Sequence, residues 1–175
     1  LKESLEICLR VEDDHRAAYI LNHLGSVASL TAQVEQAEHY IEESVRLAHK
    51  VNDRRLIAYG LYDFGEFKYQ EQHYSEALRL FQESLTTFEE LGEQFGTFYG
   101  LTGLSKVHLA LEDHASAKIY LHQALRQASE QNAIPQMMIA LSSIANVLSE
   151  KEQTLAALTL AYFVSQDARS EQATK

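Results

Sequence analysis

Along this chain apolar and small residues fall four, three and four positions apart, and the whole pattern returns after 40 residues. Ala17, Leu21, Leu24 and Ala28 form one such stripe, which places them on a single helix face. After a short polar turn, Ala37, Ile41, Ser44, Val45 and Ala48 form a second. The segment ESLEICLRVEDDHRAAYILNHLG recurs in outline as ESVRLAHKVNDRRLIAYGLYDFG and as ESLTTFEELGEQFGTFYGLTGLS. A fainter copy reads QALRQASEQNAIPQMMIALSSIA. Leu21, Leu61, Leu101 and Leu141 share a column, as do Ala37, Ala77, Ala117 and Ala157. Four copies without an insertion indicate a repeat architecture, each unit a helix pair that buries its apolar face against its neighbours.

The spacing predicts first helices at 14–31, 54–71, 94–111 and 134–150, and second helices at 34–51, 74–91, 114–131 and 153–170. Residues 1–11 read as a lone second helix, a half repeat whose apolar face lacks its partner. Gly25 and Gly65 share one column, Gly60 and Gly100 another. Glycine inside a helix costs about 1 kcal/mol relative to alanine, so close helix crossings must offset it. Asn52, Gly92 and Asn132 end the second helices, as residues that accept the left-handed conformation. Pro135 opens a first helix, where its missing N–H is no loss. The fold class is all-α: tandem antiparallel helix pairs forming one repeat domain over 1–175, in repeats 14–51, 54–91, 94–131 and 134–170. The chain opens on Leu1, which fits an excerpt of a longer protein.

These columns resemble the tetratricopeptide repeat (TPR). Leu24-Gly25, Ala37 and Ile41 match its signature, as do Phe64-Gly65, Ala77 and Phe81. Later copies depart from it: Ser105 and Ala145 stand where the glycine belongs, and Ala28, Lys68, His108 and Leu148 fill the usual aromatic slot. The 40-residue period exceeds the usual ~34, so each helix gains about a turn. Repeats of this length are similar to the TPR regions of large bacterial LuxR-type and antibiotic-regulator-type transcription factors. The resemblance implies a right-handed superhelix, an α-solenoid whose first helices line a concave groove. It implies groove positions at Tyr19, Tyr59, Tyr99 and Ile139, at Asn22, Tyr62, Thr102 and Ser142, and at Ser26, Glu66, Lys106 and Asn146. The partner-binding set carried over is Tyr19, Asn22, Ser26, Tyr59, Tyr62, Glu66, Tyr99, Thr102, Lys106 and Asn146. Tyrosine combines flat apolar area with a hydrogen-bonding tip, which suits a recognition surface or packing between helices equally well. Asp63 and Glu66 beside Lys106 would repel a terminal carboxylate, so the expected ligand is a basic or aromatic-bearing segment.

Composition narrows the function classes. A net charge of −10 argues against direct nucleic-acid binding, which needs a basic footprint. No apolar run reaches membrane-spanning length. The single cysteine, Cys8, aligns with Ala48, Phe88, Ala128 and Ala168 and is expected to be a small buried residue in a reducing, cytoplasmic setting. The eight histidines show no metal-ligand spacing, and those on first helices, His23 and His108, are placed to reach the groove. No nucleophile elbow or phosphate loop is present, and no cofactor is expected. The expected function is therefore a non-catalytic scaffold for a protein or peptide, including other domains of its own parent chain. A self-associating block, including a homodimer, and a small-molecule sensor are the alternatives.

Overall fold

The computed structural model describes residues 1–31 and 33–149. Among these, eight α-helices follow one another: α1 (Lys2–Arg10), α2 (Asp14–Leu30), α3 (Val34–Lys50), α4 (Arg54–Gln70), α5 (Tyr74–Leu91), α6 (Gln94–Ala110), α7 (His114–Glu130) and α8 (Ile134–Ser149). Every helix expected within that span is present, with ends within about two residues of those the spacing predicts. The expected helix at 153–170 lies outside the described residues, as do Ala157 and Ala168. The chain forms two compact units, Leu1–Gly103 and Leu104–Lys175.

In the first unit α2 packs on α3 and α4 on α5, and α4 also packs on α3 and α2. The stripe Ala17, Leu21, Leu24 and Ala28 is buried, and so are Ala37, Ile41, Ser44 and Ala48. Cys8 sits in a core with Ala17, Leu21, Leu47, Ala48 and Leu56, as its apolar column implies. Phe81 and Phe88 on α5 are fully buried, a contribution of roughly 2–3 kcal/mol each. Leu1, Ile7, Leu9 and Val11 stay exposed on or beside α1. In the second unit, Leu121, Ile144 and Val147 form the core with Leu109 and Leu125 against it.

The glycine columns mark where backbones meet. A Cβ on Gly25 would stand 2.5 Å from Cγ1 of Ile41, and one on Gly65 would stand 2.8 Å from the Phe81 ring. Beside these crossings the second helix reaches back. The Ser44 hydroxyl donates to the Ala18 carbonyl at 2.8 Å, and Ser84 donates to Ala58 at the same distance. At the ends of each pair, Lys50 bonds Asp14 at 2.6 Å, while Arg54 bonds Glu90 in the same two columns with the charges exchanged.

Each described turn between helices passes through one left-handed residue, apart from the turn that holds residue 32. Asn52, Gly92 and Asn132 have φ of 53°, 65° and 51°, as expected. Glu12, Gln72 and Glu112 do the same at 57°, 62° and 59°, although their side chains disfavour it. The turn then closes by a backbone bond, such as the Glu93 N–H to the Phe88 carbonyl at 2.9 Å. Asp13, Asp53 and Asp113 cap the helices that follow by accepting from the N–H of Arg16, Leu56 and Ser116.

Three outcomes follow for stability, all read from urea unfolding. Gly92→Ala is expected to destabilise by about 1 kcal/mol through backbone strain alone, since no atom lies within 4 Å of its added Cβ. Gln72→Gly and Glu112→Gly are expected to stabilise by roughly 0.5–1 kcal/mol. Gly25→Ala is expected to cost about 1–2 kcal/mol through crowding of Ile41.

Candidate functional site

Neighbouring first helices α2 and α4 enclose a cleft of about 570 Å³. From α2 come His15, Tyr19, Asn22 and His23. From α4 come Arg55, Leu56, Tyr59 and Asp63, with Asp53 at the helix cap. Leu56 is the one aliphatic side chain among these; the others are aromatic or polar. Their alignment comes from the period: α2 and α4 present the same columns side by side, so Tyr19 and Tyr59 face one cleft.

Asp63 is the unusual group. Burial pushes its carboxyl from the usual 3.8 up to about 7, and the neighbouring Glu66 carboxylate adds to the rise. Hydrogen bonds from the Asn22 and Ser26 side chains act the other way and favour the charged form. Asn22 is itself buried at 7% exposure, so it positions Asp63 from within the helix interface. Ser26 also donates to the Asn22 carbonyl at 3.2 Å. At the cap, Asp53 is held below the usual carboxylate range by the Leu56 N–H and, secondarily, by His15, whose Nε2 lies 2.8 Å away.

The tyrosine column is split between surface and packing. Tyr19 is 57% exposed and Tyr99 41%, whereas Tyr59 is half-buried. The Tyr59 ring meets Phe88 edge-on at 4.7 Å, and its hydroxyl donates to Glu93 at 3.4 Å. The Arg55 guanidinium lies 5.8 Å over the same ring and pairs with Glu93 at 2.9 Å. Tyr62 packs between Phe81, at 5.4 Å, and Tyr99, at 5.7 Å, and donates to Glu66 at 3.3 Å. Burial pushes its hydroxyl pKa well up.

The structure thus brings Tyr19, Asn22, Ser26 and Tyr59 around one cleft with Asp63, and Tyr62, Glu66 and Tyr99 into a second cluster in the same unit. The Thr102 hydroxyl turns back onto its own helix, donating to the Phe98 and Tyr99 carbonyls. Lys106 and Asn146 belong to the second unit, the first half-buried and the second exposed. His108 does not reach toward a groove: it stacks on Tyr120 at 5.4 Å and bonds Asp113 at 3.1 Å, on the side of its paired helix. His15, Asp53 and Arg55 were not among the groove positions that the TPR resemblance implies. Their signal is positional, for they lie at or beside the helix caps one turn before the tyrosines.

Among the described residues no group of three or more His, Cys, Asp or Glu side chains is placed to hold a metal ion. No described helix is long and apolar enough to cross a membrane.

An ionised Asp63 weighs against the folded state. Below about pH 4 the carboxyl is neutral in folded and unfolded chains alike, and between about 4 and 7 the unfolded chain releases its proton first. Stability contributed at this position therefore falls as pH rises through that window. Asp63→Asn is expected to stabilise by roughly 1–3 kcal/mol at pH 8 and to change little at pH 4, as read from urea midpoints at the two pH values.

No family model matches the chain, and no curated protein matches it. Among solved structures it is similar to a Signal Transduction ATPase with Numerous Domains (STAND) protein with a tetratricopeptide repeat sensor from Pyrococcus horikoshii. The TM-score is 0.77 with 16% identity over 91% of this chain. The chain spans 25% of that protein's length. The fold is thus a TPR-like array of tandem helix pairs.

Proposed function

We propose that this chain is a non-catalytic scaffold whose first-helix face binds a segment of another protein or of its own parent chain. It serves as the regulatory or sensor region of a signalling protein, with bacterial transcriptional regulators as the preferred setting. The observation that carries the reading is the α2–α4 cleft, where two tyrosines meet a carboxylate that the fold keeps at a cost in stability. A group that weakens the fold and lines a concave site is a candidate for function. The structural likeness to a protein with a TPR sensor supports the regulatory setting. Cys8 is enclosed by apolar side chains, which supports a packing role over a nucleophilic one.

The ligand preference is for basic or aromatic-bearing segments, since Asp63 shares a cleft with the exposed Tyr19 and Glu66 accepts from Tyr62, which packs on the exposed Tyr99. Ligand binding would shift a regulatory equilibrium only through different affinity for the two states of the parent protein. Selection of a random displayed peptide library on the purified chain tests the reading. Basic and aromatic residues are expected to be enriched. The combined Tyr19→Ala and Tyr99→Ala changes are expected to weaken the selected peptides at least tenfold, about 1.4 kcal/mol, with helicity retained. Selected peptides that bind this variant as well as the parent chain would remove the groove assignment. Tyr62 is unsuited to the test, because its ring is part of the packing around Phe81.

A further inference from the structure

Two neighbouring repeats answer the same columns differently. In the second, Arg55 lies over Tyr59 and pairs with Glu93, so a tyrosine ring and a carboxylate together hold one guanidinium. Forty residues earlier those columns hold His15, Tyr19 and Asp53. There His15 bonds Asp53 directly, and Tyr19 is left 57% exposed, its ring meeting His23 in a T-shaped contact at 4.5 Å. The same cleft contains Asp63, whose partners are the neutral Asn22 and Ser26 side chains and a second carboxylate, Glu66. The cleft therefore presents the exposed Tyr19 ring of α2 and the half-buried Asp63 carboxylate of α4, while the guanidinium in its own lining, Arg55, is held by Tyr59 and Glu93.

We propose that the α2–α4 cleft seats one guanidinium group, an arginine side chain of the bound segment, against the Tyr19 ring and the Asp63 carboxylate. Guanidinium fits this pair better than ammonium. It is flat, weakly hydrated, and uses a ring face and a carboxylate at once. The inference rests on the reading of this face as a binding face and adds the chemistry of one subsite. It also carries a proton linkage. The cation binds the ionised carboxylate, so with Asp63 titrating near 7 affinity should rise about tenfold between pH 6 and pH 8. The other charged or titratable groups facing the cleft are His15 and His23 on α2, Asp53 at the cap of α4, and Arg55, Tyr59 and Glu66 on α4, with Glu93 just before α6.

The test is a titration of the whole chain, followed by NMR, with a short blocked peptide carrying one arginine between two glycines and an aromatic residue. A second peptide carries citrulline in its place. The arginine peptide is expected to bind at least tenfold tighter, to shift the Tyr19 resonances, and to gain about tenfold from pH 6 to pH 8. Asp63→Asn should abolish both the preference and the pH slope, while His15→Gln with His23→Gln should keep the slope. Equal binding of the two peptides at the tyrosine face would overturn the subsite and leave the scaffold reading standing. Binding of neither peptide overturns the subsite, and the library selection above then decides the scaffold reading separately. Agmatine, a free guanidinium, is expected to bind far more weakly than the peptide. Equal affinity would overturn a peptide as the source of the cation.

Discussion

Close approach of paired helices is the constraint on which the rest depends. Where Gly25 meets Ile41 and Gly65 meets Phe81, there is no room for another carbon atom. That proximity lets the Ser44 and Ser84 hydroxyls reach carbonyls of the facing helix, and it lets long side chains such as Phe81 fill the space fully. In the first unit the α2–α3 and α4–α5 pairs pack so that α2 and α4 lie side by side. The cleft between α2 and α4 is a product of that stacking, not of a loop shaped for the purpose.

Within the cleft the physical tension is between burial and charge. Asn22 is nearly enclosed and offers its side chain to Asp63, yet the carboxyl still titrates far above its usual range. Packing alone would be better served by an uncharged residue of the same shape. The neighbouring Arg55, Tyr59 and Glu93 show how the same scaffold satisfies charge when it supplies both signs itself.

Much of the fold was legible in the chain because the period is unbroken. Ala17, Leu21, Leu24 and Ala28 fixed one buried face, and the 40-residue shift carried it to each later copy. The left-handed turns at Asn52, Gly92 and Asn132 were legible because those residue types tolerate that conformation. Those at Glu12, Gln72 and Glu112 were not, because tertiary closure imposes it on side chains that disfavour it. Of the cleft lining, the columns contain Tyr19, Asn22 and Tyr59, but residue type alone could not tell that Thr102 bonds its own helix. His108 was misread for a similar reason. It lies on a first helix, yet the ring of Tyr120 and the Asp113 carboxylate turn it toward the paired helix. Ionic partners such as His15 and Asp53 depend on distances across helices, which no column records.

The exchanged ion pairs have a consequence for assembly of the chain. Repeats this alike risk docking with the wrong neighbour while they fold. If α2 met α5 in place of α3, Asp14 would face Glu90, and if α4 met α3 in that register, Arg54 would face Lys50. Correct pairing sets opposite charges together, and exchange sets like charges together. Such surface pairs add little to the depth of the native state. Their value lies in discrimination: the first two helix pairs, alike in pattern, carry an electrostatic address that sets each apart from the other.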